Sequence, residues 1–233
     1  MILTENIQPL LDKHFVAALV AGMLIANVAG AAERDHLLPE RSVIGDSADL
    51  QSTDGMLHTL FAEAYAHDVK FRMIDLPSFR TESVTALKEV KGGYQVFTLE
   101  PAQPLWGHET LPADMKMNRC EIEVDSARAQ RFLSASKAVL LETKYTQPDE
   151  EDVVVTDGVE DHFSMPNGFQ PLAGWTNYAQ KGGKVAALYD ATAAMFDYCA
   201  KRNAPALKTL DMRVGELETR MGLNKQVEKA PPK

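Results

Sequence analysis

Residues 117–145 constrain the fold of this chain more than any other stretch. Cys120, Ile122 and Val124 alternate with Arg119, Glu121 and Glu123, the period-two pattern of a strand with one buried face. Asp125 follows where a helix N-cap belongs. Ala129, Phe132, Leu133 and Leu140 then share one face of a helix to Leu141, and Gln130, Ser134 and Lys137 take the other. A strand feeding straight into a helix fixes which side of each is interior, and Cys120 lies on that side. The second cysteine, Cys199, falls on the apolar stripe Val185, Leu188, Thr192, Met195, Cys199 of another predicted helix over 184–202. Two inward cysteines on separate elements predict a Cys120–Cys199 disulfide tying the middle of the chain to its C-terminal part, given an oxidising compartment. Apolar surroundings and the lack of a Cys-x-x-Cys spacing argue against a redox or nucleophilic thiol.

The N-terminus points to such a compartment. Residues 15–28 form an uncharged apolar run preceded by Lys13 and His14. Ala29-Gly30-Ala31 and the charged Glu33-Arg34-Asp35 follow. An apolar core, small residues at the cut and a polar start are the layout of a secretory signal, so 1–31 is expected to be removed after Ala31, leaving a periplasmic or secreted protein. The alternative is an uncleaved anchor, because Glu5 and Asp12 outweigh Lys13 and the run approaches spanning length. Contact with a membrane is then confined to this segment. The 233-residue chain is 45% hydrophobic, enough for a core, and carries a formal charge of −9. That balance disfavours nucleic acid or an anionic membrane as main partner and suits a basic protein.

Residues 32–53 lack periodicity and read as an extended lead-in. From Asp54, the stripe Met56, Leu57, Leu60, Phe61, Ala64 predicts a helix to about Ala66. Val69, Phe71 and Met73 alternate with Lys70 and Arg72 as a strand, broken at Pro77-Ser78. Two runs, 83–90 and 94–99, flank Lys91-Gly92-Gly93, a hairpin signal because glycine supplies the positive φ of tight turns. Pro101, Pro104, Gly107 and Pro112 make 100–114 a loop, with Trp106 expected to plug the edge of the core. Val153-Val154-Val155, the turn signal Thr156-Asp157-Gly158 and His162-Phe163 predict a second hairpin. Pro166, Gly168, Pro171 and Gly174 predict a loop ending at Trp175. After Pro205, a last helix over 206–221 aligns Leu207, Leu210, Val214, Leu217 and Met221. It is expected to dock on the domain, with weak self-association through Leu210 and Leu217 as the alternative. Residues 223–233 read as a disordered tail. Strands in consecutive runs imply an α+β fold: an antiparallel sheet of hairpin-linked strands packed against helices, with C-terminal helices, in one domain over 54–222.

Chemistry is sparsely marked. No histidine pair has ligand spacing, and neither cysteine has a ligand-spaced neighbour, so neither metal nor cofactor is expected. Asp149, Glu150, Glu151, Asp152, Asp157, Glu160 and Asp161 lack the alternation that aims oxygens at one Ca²⁺ and read as a solvated acidic loop. Gly182-Gly183-Lys184 opens a helix and so invites an anion. The phosphate-loop pattern nevertheless fails, with Val185 where Ser or Thr is needed and Tyr178 in place of the first glycine. The remaining catalytic candidate is His162 with Asp157 or Asp161, a histidine beside carboxylates.

The leading expectation is therefore an exported, non-enzymatic protein acting through a protein–protein surface, in the manner of an immunity protein or an inhibitor. Asp149, Glu150, Glu151, Asp152 and Glu160 would face a basic partner. The alternatives are an envelope hydrolase using His162 with a neighbouring carboxylate, and a structural or assembly subunit.

Overall fold

A computed structural model describes residues 35–39, 53–105, 108–145, 158–177 and 182–223. Seven strands form one antiparallel sheet: β1 (Leu38–Pro39), β2 (Val69–Pro77), β3 (Ser83–Val90), β4 (Gly93–Pro101), β5 (Met117–Val124), β6 (Val159–Met165) and β7 (Leu172–Thr176), in the order β1-β7-β6-β2-β3-β4-β5. The helices are α1 (Thr53–Leu60), α2 (Ser126–Leu141), α3 (Lys184–Lys201) and α4 (Ala204–Arg220). The α+β architecture expected from the sequence is the observed one.

Strand alternation divides the core in two. One face carries Phe71, Met73, Leu87, Val96, Val124, Phe163 and Met165 and is covered by α2, α3 and α4. The other carries Ile74, Val84, Ala86, Phe97 and Leu99, packed against Leu57 of α1, Phe61 and Ala64 of the turn after it, and Leu105. A register shift in β2 between Val69 and Phe71 lets those residues join different clusters. Glu82 fastens the loop after β4, both carboxylate oxygens accepting from Leu105 N–H at 2.9 and 3.2 Å.

The β5–α2 unit forms as its pattern predicts. The Asp125 side chain accepts from Arg128 N–H at 2.9 Å, and α2 ends at Leu141. Cys120 and Cys199 are bonded, linking β5 to α3 across 79 positions with Cα atoms 5.9 Å apart. Such a loop closure stabilises by about 4–5 kcal/mol on chain-entropy grounds. The chain leaves α3 through Arg202 in the left-handed region (φ 49°), and Asn203 caps α4 by accepting from Ala206 N–H at 2.9 Å. Pro205 therefore opens the last helix, where a missing N–H costs nothing. Leu210, Val214 and Leu217 are buried in the helix-side core, and Arg131 of α2 forks onto Glu218 of α4.

Two local expectations need correction. The helix over 54–66 ends at Leu60 and continues as a 3-10 turn over Ala62–Tyr65 that tucks Phe61 fully inside. The loop expected to reach Trp175 stops earlier, because Leu172–Thr176 is a strand paired with both β6 and β1. Gly174 looked like loop punctuation, but it marks a close approach within the sheet. A Cβ there would stand 2.8 Å from Leu37 Cβ and 3.0 Å from Leu38 O. The hairpin in which β6 takes part is made with β7, and β2 occupies its other edge. Residues 149–157 lie outside the described residues.

The lead-in has a structural role at residues 35–39. Leu37 is fully buried, and Leu37 O accepts from Lys144 N–H at 3.1 Å. Asp35 Oδ2 accepts from Lys184 N–H at 2.7 Å and Oδ1 from Val185 N–H at 3.1 Å. The anion invited by the Gly182-Gly183-Lys184 helix start is thus Asp35 of the chain itself, a carboxylate at a helix N-terminus. Gly183 makes room for it, since a Cβ at that position would lie 2.3 Å from Asp35 Oδ1.

Candidate functional site

Phe71 and Met73 point into the helix-side core, so Asp75, two residues further along β2, points the same way. Asp161 stands in the same relation to Phe163 on β6. Asp75 and Asp161 are direct cross-strand partners. Thr176 on β7 is opposite Asp161, and Ser83 on β3 is opposite Asp75. The end of the helix-side core is therefore closed by a polar row across four adjacent strands, with two carboxylates in its middle.

Both acids are buried, with 8% of Asp75 and 6% of Asp161 exposed. In each, Oδ1 is buried without a hydrogen-bond partner. Arg80, on the turn after β2, brings Nη2 to 3.7 Å from Asp75 Oδ2, and its side chain is 64% exposed. Tyr189 of α3 also borders the pair. Its hydroxyl pKa is raised by burial and by the charges of Asp161 and Asp75, against the lowering charge of Arg80. Burial raises the Asp75 pKa, and Arg80 partly offsets the rise. Burial and then the Asp75 charge push Asp161 up to about 7. Like charges facing each other in a dry site do not readily both ionise, so the pair holds a proton near neutral pH.

A second charged cluster, on the opposite sheet face, behaves differently. Lys88 and Arg119 interleave with Glu63 and Glu121. Arg119 above all holds Glu63 below the ordinary carboxylate range, and Lys88 does the same for Glu121. Charge there is balanced two against two. At Asp75–Asp161 two acids stand beside one loosely held guanidinium, whose ion pair is with Asp75.

The sequence-derived candidates are distributed as follows. Asp161 and His162 are neighbours on a strand and so face opposite sides of the sheet. His162 lies on the face away from the long helices, stacked on Trp175 with centroids 6.1 Å apart and planes 18° apart. Glu160 Oε2 lies 3.5 Å from its Nε2, and the Glu160 side chain is 54% exposed. Asp161 and His162 thus stand on opposite faces of β6, although the charge of His162 still reaches Asp161 and tempers the rise in its pKa. Asp157 and the partner-binding candidates Asp149, Glu150, Glu151 and Asp152 lie outside the described residues, as do Trp106 and residues 1–34. Cys120 and Cys199 are joined as predicted. Among the described residues no group of three or more His, Cys, Asp or Glu side chains could hold a metal ion, and no helix is long and apolar enough to cross a membrane.

Asp75 was missed from the sequence, although a signal was there. An aspartate two positions beyond Met73 on an alternating strand stands where an apolar residue belongs. Comparison with known proteins returned no match to any family, curated protein or solved structure.

Proposed function

We propose that this is an exported, non-enzymatic protein that works by binding a basic protein partner, with Asp75 and Asp161 as the anionic seat of the contact. The observation that carries the reading is the cross-strand carboxylate pair, in which each buried acid keeps an oxygen that no hydrogen bond serves. A buried polar atom without a partner costs free energy that an incoming donor recovers. A cationic donor also removes the repulsion between the two acids. The acidic excess of the chain supports the reading by steering a basic partner toward it. The disulfide fits export, because such bonds persist in oxidising compartments. An immunity-type or inhibitor protein is one concrete form, with Asp149, Glu150, Glu151, Asp152 and Glu160 as an outer acidic surface.

The test compares three versions of the chain lacking residues 1–31 as bait in envelope extract: wild type, D75N/D161N, and a charge reversal at 149–152. A basic partner retained by wild type and lost by D75N/D161N is the expected result. The charge reversal should slow association and flatten its salt dependence without abolishing the complex. Equal recovery by wild type and D75N/D161N would remove the pair from the contact.

One observation favours a second reading. A carboxyl that titrates near neutrality beside another acid is suited to general acid catalysis, so an envelope hydrolase would use Asp161 with Asp75 in place of His162. Turnover of a small panel of esters and glycosides by wild type, lost in D161N, would distinguish it.

A further inference from the structure

Resting on that reading, we infer that Arg80 is a removable internal occupant of the Asp75–Asp161 seat, and that the group admitted there is a guanidinium presented as an arginine side chain of the partner. The inference starts from how this protein holds two arginines of its helix layer. Arg128 forks onto Asp211 through Nε and Nη2, and Arg131 forks onto Glu218 in the same way. These paired, parallel contacts are the strong form of an arginine–carboxylate bond. Arg80 does nothing of the kind. It reaches Asp75 by one contact of 3.7 Å from an exposed turn, and no ion pair joins it to Asp161. A single long contact from an exposed guanidinium gives little hold, so little opposes its departure.

What Arg80 would leave behind suits another guanidinium. Directly opposed residues on adjacent antiparallel strands hold their Cβ atoms about 4.5–5.5 Å apart, and here each of the two side chains offers an unserved oxygen. A planar fork with several N–H donors can serve both oxygens at once, whereas an ammonium is a compact point charge. Tyr189 borders the pair, and its hydroxyl feels the charge of Arg80 as well as those of the two acids. Arg80, held at Asp75 Oδ2, would give the pair a cation while the partner is absent and compete with the partner's arginine for the carboxylate of Asp75. The device sets a threshold: only an arginine supported by further contacts displaces it.

The experiment uses the full domain with its disulfide intact and two fluorescent peptides differing only in arginine against lysine. Binding is followed by anisotropy at neutral pH and low salt, for wild type, R80Q, D161N and R80Q/D161N. Arg80 is exposed, so R80Q is expected to fold, and circular dichroism checks that it does. R80Q should bind the arginine peptide about three- to fivefold tighter than wild type, with the lysine peptide weaker on both. D161N and R80Q/D161N should lose the binding. Unchanged or weaker binding by R80Q, with D161N still defective, overturns the occupant role while leaving the seat in place. Equal binding of the two peptides overturns the guanidinium preference. If D161N binds as wild type does, or no peptide binds wild type or R80Q at millimolar concentration, the inference fails together with the reading beneath it.

Discussion

Replacing Asp161 with asparagine should stabilise the protein, and increasingly so as pH rises. In an unfolded chain Asp161 titrates at its ordinary value of 3.8; in the fold, burial and the Asp75 charge push it up to about 7. Between those values the folded state binds a proton that the unfolded state has released, so stability falls with rising pH across that window. Each pH unit inside it costs about 1.4 kcal/mol. The penalty is small below pH 3.8, is about 1–2 kcal/mol at pH 5, and levels off at about 4 kcal/mol above pH 7. D161N keeps the shape of the side chain, removes the charge and gives Asp75 a neutral donor. Urea unfolding of wild type and D161N at pH 5 and pH 8 reads this group together with its coupling to Asp75, because titrations remote from the pair are common to both proteins. The advantage of D161N should grow by about 2–3 kcal/mol between the two pH values. An advantage that stays constant or shrinks would refute the argument, since it would mean that Asp161 is already ionised at pH 5 in the fold.

Two further outcomes follow from the scaffold. The C120S/C199S double variant should lose about 4–5 kcal/mol of stability, read from the shift in urea midpoint, and a thiol assay on denatured, unreduced wild type should find no free cysteine. G183A forces a Cβ against Asp35 and should cost about 1–2 kcal/mol, the worth of a lost N-cap, whereas G92A at the exposed hairpin tip would act through backbone strain alone; differential scanning calorimetry of both separates collision from conformation.

What the sequence revealed depended on the range over which each signal acts. The β3–β4 hairpin was legible because Gly92 and Gly93 sit between two strand-length runs, and its register follows from the turn. The β5–α2 unit was legible because a period of two gives way to 3.6 at a capping residue, Asp125. The disulfide required only that both cysteines face inward. β7 was hidden because Pro171 and Gly174 are turn residues in isolation, and the close approach of Leu37 that makes Gly174 useful comes from a segment 137 positions away. The candidate site was half visible. Asp161 drew notice as one of an acidic group and as a neighbour of His162, although adjacent residues of a strand cannot share a face. Asp75 meets Asp161 through the β2–β6 pairing, which joins residues 86 positions apart, and no local pattern encodes that register.

The grip of Asp35 on the start of α3 bears on when the molecule can assemble. Its two acceptor contacts span 149 and 150 positions, so the carboxylate has no amide to hold until nearly the whole domain has been synthesised and α3 has begun to wind. Contacts of such separation are slow to find because a long loop must close first. The hairpins and the β5–α2 unit can form from nearby residues beforehand. Asp35, Leu37 and the two-residue strand beside them would then engage last, as a closing clasp on an otherwise finished sheet, and would be the first contacts released when the native state opens.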